Sequence, residues 1–240
     1  MSTTRVGILG SGRLGKALAL RLRETCEVAI YDVNVKLSKQ FAKQNGMSFL
    51  YEDELYSFCH LLILCIPASE TEKVVLRLDA RDTGVSMVLN TATSLSTPEV
   101  IRTLGLRRTK LIGFKPIGQF AAIQRGVSVV FVTEHSDSAD LNYLSSVFSN
   151  IGVIRRGDEM AVQALNREAT RLALRFGSTF LESIDSLAAD PEWRLSALRA
   201  CAGGTILDYP PDPGNSYTSA LLEEMDNNIA VPVGAAKEDR

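Results

Sequence analysis

Short apolar runs alternate with longer stretches whose apolar positions recur every three or four residues, over about the first 156 residues. Residues 5–9 (RVGIL) end on Gly10 and read as a buried parallel strand. Residues 13–24 place Leu14, Ala17, Leu18 and Leu22 on one helical face. A second strand, 27–31 (EVAIY), runs into Asp32, and a helix over about 35–44 follows, with Gly46 suited to its end. The strongly apolar 60–66 (HLLILCI), closed by Pro67, has the pattern of a central strand buried on both faces, and a helix over about 69–78 follows it, with Ser69 or Thr71 available as cap. Residues 85–89, 109–114, 127–133 and 151–155 are further strands; Pro98 fits the first turn of a helix after the first of these, and 138–150 is helical. Strand and helix in alternation predict an α/β fold with a doubly wound, mostly parallel sheet.

The pattern changes after Gly157. Residues 159–188 carry no strand signal; Val162, Leu165, Ala169, Leu172, Phe176, Phe180, Ile184 and Leu187 form a broad helical stripe. A helix from about 192 to 201, a Gly203-Gly204-Thr205 segment, a Pro-rich loop at 209–214 and a last helix over about 216–228 follow, before a polar tail. The division this predicts is 1–157 for the sheet domain and 158–240 for a smaller, all-helical domain. So few helical residues enclose a thin core, and the broad stripe is too apolar to be solvated, so a homodimer is expected through the C-terminal helices.

Gly10-Ser11-Gly12-Arg13-Leu14-Gly15 is a G-x-G-x-x-G between a predicted strand and a predicted helix, with Asp32 closing the next strand. In that setting the pattern is the fingerprint of a Rossmann dinucleotide-binding unit. Gly10 permits the tight turn, Gly12 the approach of a pyrophosphate, and Gly15 the contact of helix with strand. The helix start offers free N–H groups and the positive end of its dipole. Asp32 suits the adenine-ribose hydroxyls and repels a 2′-phosphate, and no arginine follows it, which favours NAD over NADP. Asp32 as a cap of the next helix is the other reading, and Lys36 lies within reach of a phosphate.

The totals narrow the partners. With 26 Lys plus Arg against 28 Asp plus Glu, the net charge of -2 gives no reason to expect nucleic acid or an anionic membrane. No apolar run is long enough to span a bilayer, and the start MSTTRVGILGSG lacks the pattern of a signal peptide. Cys26, Cys59, Cys65 and Cys201 show no metal spacing and read as reduced thiols of a cytoplasmic protein; with two histidines in the chain, no metal site is expected.

The stretch GILGSGRLGKALALRL, the strand ending Cys65-Ile66-Pro67 and the later Gly113-Phe114-Lys115-Pro116-Ile117-Gly118 resemble the superfamily of pyrroline-5-carboxylate reductases and deazaflavin-dependent NADP reductases, over roughly residues 5–135. The resemblance implies that Ile66, Pro67 and Ala68 touch the cofactor and that Asn90, Thr91 and Ala92 lie near the nicotinamide. In the C-terminal half, Cys201-Ala202-Gly203-Gly204-Thr205-Ile206 stands where the reductases carry Ser-Pro-Gly-Gly-x-Thr, so that Ile206 replaces the substrate-binding threonine. Lys115-Pro116-Ile117-Gly118 likewise replaces a Pro-Asn-Thr-Pro segment. The resemblance therefore implies a reductase of another imine or of a carbonyl rather than proline synthesis.

Candidates for the chemistry follow. Lys115, at a strand end, is placed to bind a substrate carboxylate or donate a proton, or simply to extend to water. Thr205 offers a hydroxyl to substrate, or a cap to a helix. Asn166 and Arg167, with Arg171, offer an anion site on the first C-terminal helix, or a solvated face. The function expected is hydride transfer between a nicotinamide and a small-molecule substrate; the alternative is an NAD(H)-binding sensor without turnover, which the lack of an evident general acid favours.

Overall fold

The computed structural model describes residues 3–187, 189–207, 221–223 and 225. The segment predicted as a Pro-rich loop at 209–214, most of the helix predicted over 216–228 and the tail lie outside the described residues. Two compact units are present, Met1–Ala169 and Thr170–Arg240.

In the first unit, β1 (Arg5–Leu9), β2 (Glu27–Tyr31), β3 (Ser48–Phe49), β4 (Leu61–Leu64), β5 (Met87–Asn90) and β6 (Leu111–Gly113) form one parallel sheet in the order β3-β2-β1-β4-β5-β6. This is the doubly wound order that reverses direction beside β1, where such sheets open a crevice for ligands. The strands alternate between two cores, as side chains of successive strand residues must. Ile8, Ile30, Leu61 and Ile63 join one, which includes Leu18 and Leu22 of α1 (Arg13–Leu22). Leu9, Ala29, Leu62 and Leu64 join the other, under α3 (Glu52–Phe58), α4 (Ala68–Asp79) and α5 (Thr97–Leu104). Each of these leucines and isoleucines contributes about 1.5–3 kcal/mol by leaving water.

Gly46 and Pro98 stand at helix ends as the sequence predicts, while the caps of the same two helices, Asn34 (rather than Asp32) and Ser96, are seen only in the structure. Asn34 caps α2 (Val35–Gln44) by accepting from Leu37 N, and Gly46 stands beyond it with φ at +64°. Ser96 caps α5 and Pro98 occupies its first turn. Helix α4 starts earlier than predicted, at Ala68; Thr71 does not cap it but donates its hydroxyl back to Pro67 O at 3.2 Å.

A second, three-stranded sheet separates from the first: β7 (Lys115–Ile117), β8 (Val129–Thr133) and β9 (Gly152–Arg156), with β7 antiparallel to β8 and β8 parallel to β9. The run expected as one strand over 109–114 thus ends at Gly113, and the chain changes sheet around Phe114. Phe114 donates its N–H to Asn90 O while its ring packs on Phe131 and Phe148, with centroids 4.4 and 4.6 Å away. Two short helices complete the unit, α6 (Phe120–Gln124) and α7 (Ser138–Val147).

The long helix α8 runs from Glu159 to Ser183. The first unit ends within it at Ala169, twelve residues past the 157 boundary drawn from composition, because its first turns belong to the sheet domain: Glu159 and Val162 are buried and Asn166 binds the backbone of β7. The second unit holds the remainder of α8, then α9 (Pro191–Ser196), a π-helical stretch over Ala197–Ala202 and α10 (Gly203–Leu207). None of the described residues from 170 to 207 is buried. Among the described residues no helix is long and apolar enough to cross a membrane.

Candidate functional site

The glycine loop connects β1 to α1 at the carboxyl edge of the parallel sheet. Gly10 has φ at +104°, and a Cβ there would lie 2.3 Å from Cys65 O; a Cβ on Gly15 would lie 1.9 Å from Gly10 O. No other residue type fits either place. Gly12, in contrast, has no heavy atom within 4 Å of where its Cβ would stand. It is also the first, uncapped position of α1, with no side chain on the free N–H groups of that helix. Open space above an uncapped helix start is what a pyrophosphate requires.

Asp32 anchors the loop from the end of β2. Its carboxylate accepts from Ser11 N at 2.5 Å and from Asn34 N at 2.8 Å. The residue therefore joins the second strand to the glycine turn, while also lining a cavity.

Two cavities flank the loop. The first, of about 390 Å³, is lined by Gly10, Gly12, Asp32, Ile66 and Pro67, and also by Glu52, Glu70 and Arg77. The second, of about 460 Å³, is lined by Arg13, Leu14, Ile66, Pro67, Ala68 and Thr91, together with Thr93, Ser94, Gln119, Phe120 and Asn166. Cys65 borders both, and burial pushes its thiol up to about 12, which favours the protonated form. Arg13 stands over the Phe120 ring, 5.4 Å from its centroid, on the α1 face that α6 covers.

The other expected site residues divide between the cavity and places away from it. Asn90 is fully buried: its Nδ2 donates to Thr97 Oγ1 at 3.0 Å and its Oδ1 accepts from Ala92 N at 3.0 Å, so it braces the 90–97 loop rather than lining the cavity. Thr91 lines the cavity, and its hydroxyl donates to Leu64 O at 2.7 Å. Asn166 donates to Pro116 O at 2.9 Å and accepts from Gly118 N at 3.2 Å, pinning the end of β7. Arg167 is exposed on α8. In the second unit the Thr205 hydroxyl donates to Cys201 O at 3.1 Å, a bond within its own helix, and the two glycines before it are helical rather than a break.

Lys115 corrects the sequence expectation most sharply. It opens β7 rather than ending an apolar strand, and it is completely buried behind the 90–97 loop. Its Nζ donates to Ala92 O at 2.7 Å and Leu95 O at 3.0 Å, and lies 3.6 Å from Glu159 Oε2. Two of the three donors of its ammonium group are bonded to these carbonyls, and the Glu159 carboxylate is its ion-pair partner, so the group is committed to holding the loop. Burial draws its pKa down to about 8, against the opposing pull of Glu159. Glu159 itself escaped the sequence reading. It is buried at the start of α8, accepts from Thr97 N at 3.3 Å and lies against the bare Cα of Gly113. Among the described residues no cluster of His, Cys, Asp or Glu is suited to a metal.

Comparison with known proteins agrees with this architecture. Residues 1–81 match the family model described as D-isomer specific 2-hydroxyacid dehydrogenase, NAD binding domain. No curated protein matches the chain. Among solved structures, the chain is similar to a pyrroline carboxylate reductase of Plasmodium falciparum with NADP bound, at TM-score 0.70 and 15% identity over 98% of this chain and 87% of that one. A pyrroline-5-carboxylate reductase of Coxiella burnetii aligns at TM-score 0.68 and 12% identity, over 95% and 92% of the two chains. An imine reductase of Myxococcus stipitatus in complex with NAD+ aligns at TM-score 0.54 and 13% identity, over 95% and 77%. The fold is thus the one these reductases share, a Rossmann-like parallel sheet followed by a helical C-terminal part, as the resemblance over residues 5–135 implied.

Proposed function

We propose that the chain is an NAD(P)-dependent oxidoreductase that transfers a hydride between a nicotinamide and a small imine or carbonyl substrate. The observation that carries the reading is the glycine loop: the uncapped start of α1, the space above Gly12, and the Asp32 carboxylate stand together between two cavities. The N–H groups of α1 would hold the pyrophosphate, Asp32 an adenine-ribose hydroxyl, and Ile66, Pro67 and Ala68 the wall between the cavities. Thr91 would border the nicotinamide, which when bound supplies or accepts the hydride. Thr93 and Ser94 bring hydroxyls, and Gln119 and Asn166 amides, to the same cavity, where they would orient a polar substrate. NAD is the preferred cofactor in this reading because Asp32 repels a 2′-phosphate. The bound pyridine nucleotides of the similar reductases support the assignment.

A second reading has its own support. Among the described residues, the lining of the second cavity includes no carboxylic acid, histidine, tyrosine or lysine to act as proton donor, and Lys115 is engaged elsewhere. An NAD(H)-binding sensor without turnover needs no such donor. Absorbance of NADH during incubation with a panel of cyclic imines, ketones and ketone–amine mixtures distinguishes the two: substrate-dependent loss of NADH supports the oxidoreductase, and saturable binding without any turnover supports the sensor.

We also place the chain in the cytoplasm as a homodimer. Cys26, Cys59, Cys65 and Cys201 are all free thiols, in keeping with a reducing compartment. Leu172, Leu174 and Phe176 of α8 are exposed to 49, 72 and 43%, more apolar surface than a helix with no buried residue from 170 onward leaves in water as a monomer.

A further inference from the structure

The first cavity is acidic where its ligand would carry its outermost ribose. Asp32, Glu52 and Glu70 contribute carboxylates to the lining, and Arg77 is the single basic residue among those that line it. Arg77 is already paired with an anion. Its Nη2 donates to Glu52 Oε1 at 2.6 Å, and the Tyr56 hydroxyl donates to that same oxygen at 2.6 Å. Tyr56 is buried and therefore fixed, so Glu52, at the first residue of α3, is held from one side while it holds Arg77 from the other. Arginine is the side chain best shaped to bind a phosphate in two-point fashion, and here one of its nitrogens is drawn onto a carboxylate whose charge offsets its own.

We propose that Glu52 is a specificity-determining residue: by engaging Arg77 and adding a negative charge to the cavity wall, it restricts the site to dinucleotides without a 2′-phosphate. The inference rests on the reading that this cavity takes the adenosine half of NAD(P). It adds to Asp32 a second determinant, contributed by α3 and α4. Glu52 acts through Arg77 rather than through the ligand alone. Neutralising it therefore does more than weaken a repulsion; it leaves Arg77 with a neutral acceptor in place of a charged one, so that a 2′-phosphate outcompetes it for the guanidinium. Glu70 repels a 2′-phosphate too, but it pairs with Lys73 at 2.8 Å and holds no arginine, so its removal releases none.

The test is calorimetric titration of the full chain with NADH and, separately, NADPH. Glu52→Gln keeps an oxygen for the Tyr56 hydroxyl and leaves Asp53 and Glu54 in the first turn of α3, so the helix keeps its acidic start. The parent binds NADH more tightly than NADPH. Glu52→Gln gains at least tenfold in NADPH affinity while NADH affinity stays within threefold, and Glu52→Gln with Arg77→Ala loses that gain. Glu70→Gln gains no more than about threefold. An NADPH-to-NADH ratio within twofold of the parent in Glu52→Gln, with NADH still bound, overturns the role of Glu52 and leaves the dinucleotide reading standing. An equal gain in the double variant, or a parent that prefers NADPH, overturns it as well. Failure of the parent to bind either dinucleotide overturns the reading beneath it.

Discussion

Replacing Lys115 by methionine removes the buried cation that holds Ala92 O, Leu95 O and the Glu159 carboxylate. Methionine fills nearly the same space, so the cost is electrostatic: it strands an anion that is 1% exposed and leaves two loop carbonyls without their donor. Breaking a buried pair from one side costs about 3–5 kcal/mol. At about 2–4 °C per kcal/mol for a chain of this size, this predicts a fall of roughly 6–20 °C in Tm. Urea unfolding followed by circular dichroism at pH 7 measures the loss. Glu159→Gln in the Lys115→Met background recovers more than half of the loss, because removing both charges leaves only the unpaired carbonyls. A Lys115→Met protein within 2 °C of the parent, or a double variant no better than the single one, would refute the buried anchor and reopen a chemical role for Lys115.

Other outcomes follow from the same geometry. Lys115 in the folded chain titrates near 8, below its ordinary 10.5, so between those values the unfolded state binds more protons; the parent therefore gains stability relative to Lys115→Met as the pH rises through that window, measurable by urea unfolding at intervals across it. Gly15→Ala forces a Cβ onto Gly10 O, 1.9 Å away, and separates α1 from β1; it loses about 1–3 kcal/mol, and thermal-shift assays show no further stabilisation by NADH. Asp32→Ala removes the acceptor of Ser11 N and Asn34 N, and its NADH affinity falls at least tenfold in a fluorescence titration, with discrimination against NADPH relaxed. Size exclusion with light scattering gives twice the chain mass of 26.2 kDa, and a monomer at micromolar concentration would dismiss the dimer.

What was legible in the chain and what was not divides along physical lines. Five of the six strands of the parallel sheet are written in local patterns: apolar runs for strands buried on both faces, a glycine where the turn needs positive φ, and Pro98 at a helix start; the two residues of β3 are too few to show a pattern. Helix α3 was missed because seven residues with three acids in the first turn offer too short an apolar repeat. Its capping logic, with Glu54 accepting from Tyr51 N, is visible only once the helix is known. The five residues of α6 and the change of sheet at Phe114 were hidden for a related reason: a three-residue strand leaves no period. Within the proposed site, the places of the glycine loop and Asp32 could be read because they follow from backbone geometry at fixed spacing. Lys115 could not, since its place is decided by Glu159, forty-four residues later in the chain, and by carbonyls of a loop. Glu52 and Arg77, twenty-five residues apart, meet only through the packing of α3 beside α4. An acid in the first turn of a helix gives no sign of which distant cation it will hold.

The central claim is that the glycine loop holds a dinucleotide, and titration calorimetry of the parent chain with NADH tests it most directly. The account predicts saturable binding at one site per chain, weakened by Asp32→Ala; absence of binding by both NADH and NADPH, in a protein whose cooperative unfolding shows it to be folded, would contradict it.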